Sequence, residues 1–198
     1  MSQQPAQGER YVDIDWYGED LGARVFMGCH FIDADLTEVR SRGARFEDCT
    51  FVGGGVNAST HVDTSFTGCT FNRTSFFAAT LTGCKLVGST FTSANLRTMT
   101  VQGGNWSYVS LVRADLSGLD LTGVRLVEAD LAEADLRRTV LRDTDLSRAT
   151  LRGARLGATD LVGADLSGVD LEGLAWNGSI GDATLALLVA EAAGLVVS

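Results

Sequence analysis

From Tyr11 to Trp176, every fifth residue belongs to one register, and the frame never slips. Of its 34 positions, Leu fills 18, Phe eight, Trp three, Val two and Tyr one; only Ser41 and His61 are polar. All three Trp and eight of the nine Phe fall there, which random placement does not produce. Such repetition is the strongest constraint on a fold, because each unit has to bury its apolar side chain against its neighbours.

With that position written i, position i−2 is small or apolar: Ala34, Ala44, Ala114, Ala129, Ala154 and all four Cys (Cys29, Cys49, Cys69, Cys84). Position i−1 is polar and often Asp, as at Asp35, Asp130, Asp145 and Asp165. In, out, in is the alternation of a short strand. Position i+2 holds 15 of the 23 Gly, and a turn that begins at i needs φ > 0 at its third residue. Each unit is therefore a short strand and a corner. A period of five fits no helix. It also excludes the six-residue β-helix repeat and the nine-residue calcium-binding β-roll.

The triplets Ala34-Asp35-Leu36, Ala94-Asn95-Leu96, Ala114-Asp115-Leu116, Ala129-Asp130-Leu131, Ala134-Asp135-Leu136 and Ala164-Asp165-Leu166 match an A(D/N)LXX motif. Over roughly residues 11–178 the chain resembles the pentapeptide-repeat proteins. The resemblance implies an all-β fold, a right-handed quadrilateral parallel β-helix with four units and 20 residues per coil. At ~4.8 Å per coil the rod is about 40 Å long. Leu21, Ser41, His61, Leu81, Val101, Leu121, Leu141 and Leu161 then share one face. Thr50, Thr70 and Thr90 form an outward ladder, and Cys29, Cys49 and Cys69 stack inside as buried thiols. Each buried Leu or Phe contributes roughly 1.5–3 kcal/mol. Gly53-Gly54-Gly55 is the one expected weak spot.

Residues 1–10 read as a disordered polar tail, 11–178 as the β-helix and 179–198 as a capping and dimerisation segment. The last contains a short α-helix, with Asp182 as N-cap and Gly194 past its end. The helix is apolar on nearly every side, so one side can cover the last coil while the other needs a partner. That places Leu185, Leu187, Leu188, Val189, Ala192, Leu195 and Val197 at a two-fold homodimer interface. Two rods end to end would span on the order of 80 Å.

Sixteen bases against 25 acids give a net charge of −9, so direct nucleic-acid binding is not expected. Residues 156–198 contain Asp160, Asp165, Asp170, Glu172, Asp182 and Glu191 and no Lys or Arg, so −6 of the −9 lies there. With Asp115, Asp120 and Asp135, the acids Asp160, Asp165, Asp170 and Glu172 make a candidate acidic surface for a basic partner groove. Duplex DNA of ~80 Å carries roughly 47 charges. Two chains hold 2 × 25 = 50 acids and 2 × 16 = 32 bases, a net −18, so the charge is local rather than a uniform copy of a polyanion. Arg137, Arg138, Arg142, Arg148, Arg152 and Arg155 precede the acidic tail, and pairing with neighbouring Asp is expected of them.

Within the family, the Ser41-Arg42-Gly43 departure, the stretch from Leu116 to Gly123, and Trp176 leading into an Ala-rich helix resemble the mycobacterial fluoroquinolone-resistance members. That resemblance implies a dimer that mimics duplex DNA, binds DNA gyrase, inhibits or modulates it, and protects it from quinolones. The alternative is a structural rod for a different protein partner. No enzyme is expected. No zinc-type Cys/His spacing, Walker loop, GxSxG or dinucleotide fingerprint occurs, and no cofactor is implied. His61 and Ser41 read as a packing irregularity, since no acid is positioned to orient the imidazole. No run of ~20 apolar residues and no secretory signal is present, so a cytoplasmic protein without membrane contact is expected.

Overall fold

The computed structural model describes residues 4–196 as a parallel β-solenoid that ends in one helix. Its register advances by 20 residues per coil, with one exception. Ala6 pairs with Phe26, Phe26 with Phe46 and Phe46 with Phe66. Tyr11, Phe31, Phe51, Phe71 and Phe91 form a second column. Ser41, His61, Leu81 and Val101 form a third, with one slip at Gly22, which pairs with Ser41. The fourth face is a row of single bridges, Asp15 to Asp35 to Gly55 to Ser75 to Asn95. Regular strands stop at Thr100–Gln102; later coils are joined by isolated bridges as far as Asp160 and Ile180. The sheet reaches back to Ala6–Gln7, so part of the segment expected to be a tail belongs to the first coil.

Residues at i fill the tube. Leu121, Leu141 and Leu161 are buried, as are the four Cys, which are all free thiols. Tyr11, Phe31, Phe51, Phe71 and Phe91 stack with successive centroid spacings of 4.9, 4.6, 4.8 and 4.7 Å. Those distances match the spacing of neighbouring strands, so stacking and backbone pairing reinforce one another. Thr50, Thr70 and Thr90 lie in register outside.

The corners show why i+2 favours glycine and why other residues are still tolerated there. Among the described residues, every non-glycine residue with positive φ falls at this position, including Asp33 (49°), Arg73 (55°) and Tyr108 (61°). Coil closure therefore overrides the local preference against left-handed backbone. From Trp106 onwards each corner is closed by a bond from the i+3 N–H to the i carbonyl, as from Val124 to Leu121 at 3.1 Å. The corners at Phe26, Phe46 and Phe51 are open. Their carbonyls accept instead from Cys49 Sγ (3.4 Å), Cys69 Sγ (3.3 Å) and Thr74 Oγ1 (3.3 Å) one coil below.

Gly53-Gly54-Gly55 is not a weak loop. A Cβ on Gly54 would lie 2.2 Å from the Ala34 carbonyl oxygen, so glycine is what lets this coil close on the one above.

Candidate partner-binding surface

The seven candidate acids fall into different environments. Asp135 is not part of an open surface: its side chain is 8% exposed and held between Arg137 (2.6 Å) and Arg155 (2.9 Å). The Arg137 guanidinium is the main reason that its carboxyl titrates below the usual carboxylate range. Asp160 pairs with Arg142 at 2.7 Å, and Asp115 with Arg97 at 3.2 Å. Asp120 and Asp165 make no ion pair among the described residues; Thr122 and Ser167 at their corners hold both carboxyls low. Asp170 caps its corner through the Glu172 N–H at 3.0 Å, and Glu172 is exposed.

Their arrangement follows from the repeat. Units five residues apart occupy successive faces, so Asp160, Asp165 and Asp170 encircle the last full coil rather than lining one side. Four of the six clustered Arg are paired: Arg137 and Arg155 with Asp135, Arg142 with Asp160, and Arg148 with Glu128. Further ladders join Arg113 to Glu133 and Arg125 to Asp145. Most charges of the middle coils are thereby neutralised; of the candidate acids without an ion pair among the described residues, Asp120 lies in the middle coils, and Asp165, Asp170 and Glu172 stand at the C-terminal end.

That end is also apolar. The helix α1, Ala183–Ala192, is capped by Asp182, which accepts from the Leu185 N–H at 3.0 Å and from Gly163 of the coil above at 3.1 Å. These N–H groups keep the Asp182 carboxyl ionised and tie α1 to the rod. Gly194, at φ 84°, ends the helix. Leu185 is buried against the tube, and Leu188 and Val189 pack partly on it. Leu187 is 46% and Leu195 63% exposed, and Ala192 is exposed too. Val197 lies outside the described residues. Leu171, Leu174 and Trp176 of the last coil remain only half buried, and α1 flanks an apolar groove lined by Trp176, Leu185, Val189 and Leu195.

Ser41 and His61 form a closed neutral network. Ser59 Oγ donates to the Val56 carbonyl, so it accepts from His61 Nε2–H at 3.0 Å. His61 Nδ1 then accepts from Ser41 Oγ at 2.7 Å, and Ser41 accepts from Thr64 Oγ1 at 2.7 Å. Every donor has a partner and no carboxylate takes part. Burial alone pushes the imidazole pKa down to about 4. No helix among the described residues is long and apolar enough to cross a membrane.

Family models described as pentapeptide repeats match residues 62–97, 101–131, 110–148 and 134–173. Among solved structures, a trypsin-treated variant of QnrB1, a plasmid-mediated fluoroquinolone resistance protein, is similar with a TM-score of 0.74 at 22% identity, over 98% of each chain. Full-length QnrB1 is similar with a TM-score of 0.61 at 17% identity, over 94% of this chain and 100% of that one. At such identities the likeness establishes the fold. No curated protein sequence matches the chain significantly. With its unbroken five-residue register, its 20-residue coil and more than half its length matched, this chain belongs to the pentapeptide-repeat family.

Proposed function

We propose that this protein binds DNA gyrase in place of duplex DNA, modulates or inhibits the enzyme, and protects it from fluoroquinolones. It acts in the cytoplasm as a homodimer joined through α1. The observation that carries this reading is the coincidence, at one end of the rod, of a base-free acidic band with an apolar surface that α1 only partly covers. Pairing two such ends buries the apolar surface and brings two acidic bands together, a net −12 at the centre of the assembly. A patch of that sign on a long rod suits a groove built for DNA, and fluoroquinolone resistance is what the structurally similar QnrB1 is named for. Most acids of the middle coils are already paired. That observation favours a second reading, a scaffold rod for a protein other than a topoisomerase.

Supercoiling and cleavage assays with the cognate gyrase, with and without a quinolone, distinguish the two. Inhibition or protection at micromolar protein that weakens as salt rises supports the proposal. No effect at any dose or salt concentration supports the scaffold.

A further inference from the structure

The solenoid is parted in its middle. Among the described residues, no backbone hydrogen bond joins residues 93–103 to residues 112–122 in the coil below, although both segments are fully paired on their other sides. Phe76 N–H bonds Asn95 O at 2.7 Å above, and Leu116 N–H bonds Asp135 O at 3.0 Å below. The bridges expected between Asn95 and Asp115 and between Thr100 and Asp120 are missing, whereas Thr90–Ser110 and Asn105–Arg125 are intact. Two adjacent faces are thus open and the two opposite faces closed, which is the geometry of a hinge. Two surface grooves mark the opening, one beside Ala94, Leu96 and Ala114, the other beside Met99, Val101 and Leu119.

The sequence supplies a cause. From Cys29 to Val169, Met99 and Leu119 are the only residues at i−2 larger than valine, and they lie one directly above the other in the parted face. Elsewhere in the same column Ser59, Ala79, Thr139 and Thr159 allow close approach. The association recurs where Leu174 occupies i−2: no backbone bond joins residues 150–156 to residues 170–176. One ion pair, Arg97 with Asp115, crosses the central opening.

We propose that Met99 and Leu119 wedge the rod apart and create a built-in hinge. Its axis runs along the intact columns at Thr90–Ser110 and Asn105–Arg125, and Arg97–Asp115 acts as a weak tie across the mouth. The hinge lets an otherwise stiff rod adjust its curvature to a partner surface.

Dipolar spin-label distances in the full chain test this. Thr37→Cys with Gly157→Cys reports on the open side, and Met27→Cys with Ser147→Cys on the closed side. Both pairs span six coils, or ~29 Å, and the native thiols are buried. The open-side distance distribution should be at least about twice as wide as the closed-side one. Met99→Thr/Leu119→Thr, which copies Thr139 and Thr159 below, should narrow it to the closed-side width. Arg97→Ala, at an exposed site, should widen the open side alone. Equal widths in the parent overturn the hinge. So does a folded double threonine variant whose open side stays wide, or broadening by Arg97→Ala on both sides alike.

Discussion

His61 allows a quantitative test of how firmly the tube excludes water. Its imidazole is buried and neutral, with a pKa of about 4 against an ordinary 6.5. Above pH 6.5 both folded and unfolded chains carry it neutral, and it costs nothing. Between 6.5 and 4 the unfolded chain binds a proton that the folded chain refuses, so stability falls as pH falls. The slope is about 1.4 kcal/mol per pH unit, and the full loss approaches about 3 kcal/mol. Replacement by leucine, the commonest residue of the register, removes the titration. His30 is exposed and common to both proteins, so it cancels. Denaturant unfolding at several pH values from 8 to 4.5 is the assay. The stability of the parent relative to His61→Leu should be constant down to about pH 6.5 and then decline at that slope. Parallel curves for the two proteins would refute the dry, neutral assignment.

Asp135→Ala strips Arg137 and Arg155 of their shared carboxylate and should cost about 2 kcal/mol in denaturant unfolding; a neutral result would remove this pair from the account of the middle coils. Leu187→Asp places a charge on the exposed side of α1 and should yield monomers in light scattering without loss of the β-type circular dichroism. A variant that stays dimeric would exclude α1 as the joint. Neutralising the unpaired acids, Asp165→Asn, Asp170→Asn and Glu172→Gln, removes three charges per chain. It should weaken gyrase binding by at least about tenfold at low salt and less at high salt; unchanged affinity would exclude the acidic band as the contact.

Much of the fold was legible because the register is redundant. Residues at i and i−2 repeat often enough to assign inside and outside at Leu121, Cys49 or Thr70 from spacing alone. Spacing did not provide the number of sides; that came from the family resemblance, and the 20-residue pairing now carries it. Once 20 is known, the sequence already implies that Asp160, Asp165 and Asp170 occupy different faces. What it hides is pairing between coils. Asp135 is at an outward position like any other Asp, and only Arg137 two residues on and Arg155 one coil below cover its carboxylate. Gly53-Gly54-Gly55 misled for a related reason: consecutive glycines read as slack when no neighbour is visible, yet a Cβ on Gly54 would collide with the Ala34 backbone of the coil above. Met99 and Leu119 passed as ordinary apolar members of the i−2 position; only the missing bonds between their two coils single them out.

Competition for gyrase between this protein and labelled duplex DNA tests the central claim most directly, since a stand-in for DNA and DNA itself cannot share one site. Displacement of the DNA as the protein is titrated, with an apparent affinity that falls as salt rises, is the expected result. A stable complex of gyrase, DNA and this protein with the DNA signal undiminished would contradict it.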